Sequence, residues 1–308
     1  MSIGTLSIGE LAAQAGTTVK TVRFYSDRGL LPEASRSGGG HRRYGPEAAA
    51  RLRTIRSLRS LGVPVPEIAR VLDSGDTLEA VVARRLDDLG SQLAALRWRE
   101  AALRALQDGT PEQVADHLEL IGAVSVPPST SALAHYWRRL LPVRLSTRLR
   151  AAVTEAAVPQ PPADPTPGQV LAFARLHALV TDATDHCLVS HRPATTETHP
   201  DLLYDGLHEA YQLAEAALRA DRGPDSVRGP DRDPGLAEAL DCYVAAHARA
   251  SGSRDSPDFR RALGVGLAAA DHPVMARYWQ LAGELTPELT LGAADLRLRE
   301  ALTASTAA

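Results

Sequence analysis

The apolar positions near the start of the chain recur at helical spacing in short blocks. Ile8, Leu11 and Ala12 share one face of a short helix. Ser7 is placed to cap it, with Glu10 reaching back to complete a capping box. Gly16 supplies the left-handed residue that ends it. Thr18 then heads a second helix, Val19 to Arg28, which Gly29 stops. Two short helices joined at Gly16 predict a helix-turn-helix. The run from Arg36 to Tyr44 holds three consecutive glycines, Gly38 to Gly40, between basic and aromatic residues. Three glycines do not make helix interior, so this is a loop or wing whose backbone can lie close to a phosphate chain. Helix resumes at Pro46 and runs to Gly62. Pro64 and Pro66 mark a further start, with Ile68, Val71 and Leu72 as its apolar stripe.

From Thr77 to Leu106 there is no proline. Val82, Leu86, Leu89, Leu93, Leu96 and Leu103 recur at alternating steps of four and three, with Glu100 as the one polar break. That is a heptad seam, which predicts a partner helix from a second copy or, alternatively, packing on the chain's own domain. Trp98 lies off the seam on the opposite face and should meet something else. Beyond Gln107 the pattern is helical almost throughout. Thr110-Pro111, Thr166-Pro167, Asp233-Pro234, Ser256-Pro257 and Thr286-Pro287 each place a capping residue before an N1 proline. With amphipathic stretches near 131–141, 145–157 and 201–219, about eight helices are expected. Val158 to Pro167 is proline-rich, and Ala220 to Gly235 repeats Arg-Gly-Pro-Asp within a charged stretch, so both read as loops. The fold class is therefore mainly α: a winged helix-turn-helix with a small β wing over 1–75, a long coiled-coil helix over 76–107, and an all-helical domain over 108–308.

Charge sharpens this division. The chain carries a net charge of −3, but residues 1–75 hold eleven Lys/Arg against six Asp/Glu, a balance of +5 that leaves −8 for the remainder. A basic head on an acidic body concentrates phosphate attraction at one end. Lys20, Thr21, Arg23 and Tyr25 sit on or near one face of the second helix, where a helix in the major groove reads base edges. Thr17 and Thr18 stand at its N-terminus, where N–H groups and hydroxyls suit a phosphate. His41, Arg42, Arg43 and Tyr44 flank the wing, where the arginines add phosphate contacts or enter a minor groove.

Read in order, Gly16-Thr17-Thr18-Val19-Lys20-Thr21-Val22-Arg23-Phe24-Tyr25, then Arg28-Gly29-Leu30-Leu31-Pro32, then Arg36 and Gly40-His41-Arg42-Arg43-Tyr44, closely resemble the signature of the MerR family. Leu61-Gly62-Val63-Pro64-Val65-Pro66-Glu67-Ile68 is similar to its next helix. The resemblance covers residues 5 to about 107. It implies a winged helix-turn-helix, an antiparallel dimerisation helix and a C-terminal domain that receives a signal. It places Lys20, Arg23, Tyr25, Arg42 and Tyr44 at the DNA. His41 stands where the wing of the family usually has an aromatic. It further implies a homodimer on a near-palindromic promoter operator. There some members bend and untwist DNA so that RNA polymerase engages both promoter elements, and others repress.

The C-terminal two thirds offers less. Residues 73–130 contain no cysteine, so the soft-metal sites of metal-sensing relatives are not expected. The two cysteines, Cys187 and Cys242, are too few for a disulfide framework and suit a reducing cytosol. Asp182, Asp185, His186, Cys187 and His191 crowd one helix, but beyond Asp182 and His186 they share no clear face, so no metal site is assigned. No cobalamin, phosphate-loop or hydrolase motif is present, and neither a cofactor nor an enzymatic activity is expected. No run of eighteen apolar residues and no signal-peptide pattern occurs, so a cytoplasmic protein without a membrane partner is expected. Aromatics are 4% of the chain. Trp137, Tyr204, Tyr211 and Trp279, with His208 as a polar contact, are the expected lining for a small organic effector. The alternatives are a tightly packed core at these positions, and a helical domain that docks a protein.

Overall fold

The structure, a computed structural model, describes residues 5–73, 75–182, 199–221 and 234–307. Among them are fourteen helices and one three-stranded sheet, the mainly helical fold that the periodicity predicts. They fall into two compact units, Met1–Ser91 and Gln92–Ala308.

The N-terminal unit runs β1 (Leu6–Ser7), α1 (Ile8–Gln14), α2 (Val19–Asp27), β2 (Ser35–Arg36), β3 (Arg42–Tyr44), α3 (Glu47–Ser60) and α4 (Val65–Leu72). The Ser7–Glu10 capping box is present in both directions, at 2.7 and 3.2 Å. Gly16 and Gly29 both adopt positive φ, 62° and 75°, which lets the chain reverse after α1 and α2 without a Cβ clash. The wing is an antiparallel hairpin, β2 with β3, whose register pairs Ser35 with Arg43 and Arg36 with Arg42. Strand β1 pairs on the other edge of β3. Leu11, Val22, Leu31, Leu52, Ile55 and Ile68 form the centre of the core beneath.

Three arginines of α3 tie down neighbouring turns and helix ends. Arg51 Nε donates to Leu30 O at 2.6 Å, Arg56 donates to Ala15 O at the end of α1, and Arg59 donates to Val63 O at 2.9 Å. Arg51 also donates through Nη1 to Leu72 O at 3.3 Å, so Arg51 and Arg56 satisfy carbonyls left open at the ends of α4 and α1, while Leu30 and Val63 lie in the turns after α2 and α3.

Helix α5 (Leu78–Gln107) contributes residues to both units. Val82, Leu86, Leu89, Leu93, Leu96 and Leu103 are all exposed, by 39–67%. Trp98, on the other face, is buried.

The C-terminal unit continues with α6 (Pro111–Gly122), α7 (Ser131–Leu140), α8 (Thr147–Ala157), α9 (Pro167–Thr181), α10 (Pro200–Asp221), α11 (Pro234–Ala250), α12 (Pro257–Ala269), α13 (Pro273–Leu285) and α14 (Leu291–Ala307). One core gathers Trp98, Tyr136, Trp137, Phe173 and Tyr278 around the nearly enclosed helix α9. A second lies between α10, α11 and α14, around Ala210, Ala214, Ala239, Tyr243 and Leu298. There Tyr211 and Tyr243 each donate to Asp295 Oδ1 at 3.0 Å, and Arg299 Nε lies 2.6 Å from Asp295 Oδ2.

Helices begin at Pro111, Pro167 and Pro257 behind Thr110, Thr166 and Ser256, as expected, and α11 begins at Pro234. Thr286-Pro287 does not begin a helix. Helix α13 runs up to it, Thr286 Oγ1 accepts from Glu288 N in a turn, and Thr290 caps α14 instead by accepting from Ala293 N. One start went unforeseen: His272 caps α13 through Nδ1, which accepts from Val274 N at 3.2 Å. The charged repeat within 222–233 lies outside the described residues.

Candidate nucleic-acid interface

Helix α2 turns Val22 and Tyr25 into the core and leaves Lys20, Arg23 and Phe24 exposed. That division follows the helical period: residues at i, i+3 anchor, and the intervening positions face out. Thr18 fixes where the helix starts, because its hydroxyl accepts from Thr21 N at 3.1 Å and lies 2.9 Å from the Thr21 hydroxyl. Thr17 N donates to Ala12 O at 2.9 Å. Both threonines therefore spend these groups on building the turn. One exposed pair escaped the sequence reading. The Arg28 guanidinium stacks 3.8 Å over the Phe24 ring, a cation–π contact on the outward face of α2. An aromatic followed four residues later by arginine was the available signal.

The wing lies beside this helix in the same unit. His41 is exposed at the turn, where Gly40 takes φ 81° and Ser37 O accepts from Gly40 N at 2.8 Å. Arg43 is half-buried, 3.9 Å from Glu10. Arg42 is held by two carboxylates, donating through Nη1 to Asp27 and through Nε to Glu33 at 2.8 Å. The hydrogen bond it donates to Asp27, with the charges of Asp27 and Glu33, raises its pKa further. Glu33 also binds Arg36 Nε at 3.0 Å, so one carboxylate bridges two arginines that stand opposite each other across the hairpin.

Tyr44, which the family resemblance places at the DNA, lies beneath the surface of the wing. Its ring is fully buried because β3 is the central strand, and its hydroxyl lies 3.1 Å from Ser26 Oγ, which ties the wing to α2. Tyr25 is likewise almost enclosed. Both support the exposed face of α2 and the wing from beneath. The side chains that α2 and the wing leave accessible to solvent are thus Lys20, Arg23, Phe24 and Arg28 on α2, with His41, Arg42 and Arg43 on the wing.

The five expected effector residues fall in two places. Trp137 is buried, packed 5.4 Å from Trp279 and 5.5 Å from Tyr278, and Tyr204 borders the same core. Tyr211 belongs to the second core, against Tyr243 and Asp295. His208 is exposed and lies 3.1 Å from Gln212. Asp185, His186, Cys187 and His191 lie outside the described residues. Cys242 is half-buried, and burial pushes its thiol pKa up. Among the described residues no helix is long and apolar enough to cross a membrane.

A family model described as the MerR HTH family regulatory protein matches residues 6–75. The mercuric resistance operon regulatory protein of Serratia marcescens is 36% identical over 110 residues, which cover 34% of this chain and 76% of that protein. The chain belongs to the MerR family. Other MerR-type relatives are longer than the matched part. The nodulation protein NolA of Bradyrhizobium sp. (strain NC92) is 34% identical over 146 residues, 43% of this chain and 62% of that protein. The transcriptional activator TipA of Streptomyces coelicolor is 35% identical over 115 residues, 35% of this chain and 46% of TipA. The chain thus spans about half the length of these two relatives. In MerR-type terms, residues 6–75 hold α2, the wing and α4 together as one unit.

Proposed function

We propose that this chain is a dimeric DNA-binding transcription regulator, gated by a small organic molecule in its C-terminal unit. The carrying observation is the exposed face of α2, Lys20 and Arg23, set on a rigid capped scaffold beside a basic wing. A helix so presented suits the major groove, with wing arginines on the backbone. Two copies on a near-palindrome would bend and untwist the DNA, so that RNA polymerase engages the promoter. The name of TipA, an activator, supports that direction of control. The exposed leucine row of α5 supports the dimer. The domain reading that goes with it is a head over 1–75, a dimerisation helix over 76–107 and an effector domain over 108–308.

For the effector, Trp137, Trp279 and Tyr204 are the coherent part of the expected set, since they border one core. A planar apolar ligand would enter by displacing Trp279, the more exposed of the two indoles. A second reading, a docked protein, draws support from Val265, 72% exposed on α12, and Leu296, 57% exposed on the adjacent α14.

The test has two parts. Selection from random duplexes should return a near-palindrome; recovery of unrelated sequences would refute the regulator reading. Tryptophan fluorescence of the full chain, titrated with natural-product-like compounds, should show saturable quenching that Trp279→Ala abolishes. Quenching untouched by Trp279→Ala would overturn the effector site.

A further inference from the structure

Between Ser131 and Thr154 the chain carries Arg138, Arg139, Arg144, Arg148 and Arg150 and no aspartate or glutamate, within a body of net charge −8. Only the six residues 141–146 separate the end of α7 from the start of α8, and the two helices pack on each other. Connectivity therefore gathers the end of α7, the turn and the start of α8 at one corner of the unit.

Arg150 builds that corner. Its Nη2 donates to the carbonyls of Pro142, Val143 and Leu145 at 3.2, 2.7 and 3.1 Å. Three carbonyls gathered on one guanidinium fix the turn, with Arg144 exposed at its crest beside Val143. Arg138, Arg139 and Arg148 are exposed on the flanking helices. Among the described residues no ion pair involves Arg138, Arg144 or Arg148. Asp201 of α10 reaches this corner and accepts from Ser146 N at 2.9 Å.

We propose that this arginine corner is a second nucleic-acid contact, which binds DNA phosphates outside the segment read by α2. Charge complementarity supports a polyanion, and tethering selects DNA among polyanions. The 30-residue helix α5 is about 45 Å long and joins this unit to a head that binds DNA. Once the head is bound, flanking phosphates are at high effective concentration around the second unit. Arginine forks suit phosphate oxygens, and several weak contacts then add to the grip.

The proposal rests on the DNA-binding reading of the head, and the experiment separates the two. Full-length protein is titrated with a 60-bp mixed-sequence duplex across a range of salt. The variants are Arg138→Gln/Arg144→Gln/Arg148→Gln and, for the head, Lys20→Ala/Arg23→Ala, with thermal melts to establish that each is folded. Each phosphate contact contributes about 0.9 to the slope of log K against log[salt], so the triple variant should be shallower by about 2–3 per protomer. A triple variant with the wild-type slope overturns the second contact. If it keeps that slope but loses binding to poly-L-glutamate, the corner is a site for an acidic protein, and the proposal also falls. An unchanged Lys20→Ala/Arg23→Ala variant would count against the head alone.

Discussion

Trp98 of α5 packs edge-on against Phe173 of α9, with ring centroids 5.5 Å apart and planes at 83°. Both rings are essentially inaccessible to solvent. The face of α5 opposite the leucine row is thereby locked into the helical core. Trp98→Ala should cost about 3–5 kcal/mol in the unfolding transition of the C-terminal unit, and Phe173→Ala a similar amount. The double variant should fall short of the sum by about 0.5–1.5 kcal/mol, the worth of the ring pair beyond its area. Urea denaturation followed by helical circular dichroism measures this, and strict additivity would mean that the rings do no more than fill space.

Lys20→Ala should weaken operator binding by about 1–3 kcal/mol and relax preference at one base position. Arg42→Ala should weaken all duplexes alike. Competition gel shifts with operator and scrambled DNA separate the two patterns. Equal losses on both probes for Lys20→Ala would remove it from base readout.

Glu33→Gln leaves Arg36 and Arg42 opposite one another with only Asp27 to offset them. Like charges directly across a hairpin are unfavourable, so the wing should fray. Hydrogen exchange should quicken at the amides of Ser37 and Gly40, whose bonds close the turn. Unaltered exchange there would mean that Tyr44 and the sheet alone hold the wing.

Leu89→Asp with Leu96→Asp puts two carboxylates in the exposed row of α5. If a second copy covers that row, each should cost several kcal/mol of association. Sedimentation should then show a monomer, and operator binding should fall with it, since each head reaches one half-site. A dimer of unchanged strength would place the interface elsewhere.

His247 packs 4.8 Å from Tyr243, and burial, with Arg299 nearby, lowers its pKa from 6.5 to about 4. The unfolded chain therefore binds a proton between pH 6.5 and 4 that the folded chain refuses. Stability is full above pH 6.5, falls as pH drops towards 4, and loses at most about 3 kcal/mol in that window. Melting temperatures across this range should decline less steeply in His247→Phe than in the wild type. Parallel curves would assign the acid sensitivity to other groups.

What the sequence made legible was local. Ser7, Gly16, Thr18 and Gly29 specify two helices and the turn between them through interactions no more than a few residues long. The α5 row was visible because its spacing repeats. Long-range pairings were not. A count of eleven basic residues cannot tell Arg23, which faces water, from Arg51 and Arg56, which cap helices far away in sequence. Tyr44 sits in a basic run, yet the middle position of β3 buries it. Tyr204, His208 and Tyr211 share a helical face on paper. In the fold, neighbouring helices divide them between one core, solvent and a second core. Thr286-Pro287 has the letters of a helix start, but α13 reaches it from behind.

Helices α10 and α11 meet through Ala210, Ala214, Ala239, Ala246 and Ala250, and a Cβ added at Gly206 would lie 2.6 Å from that of Ala246. Methyl groups have no rotamer to change, so this contact has no slack. A mutation that enlarges one side becomes tolerable only after the facing position has shrunk. Divergence along this pair of helices should therefore proceed by reciprocal exchange, in which the summed volume across the seam stays constant while the individual residues change.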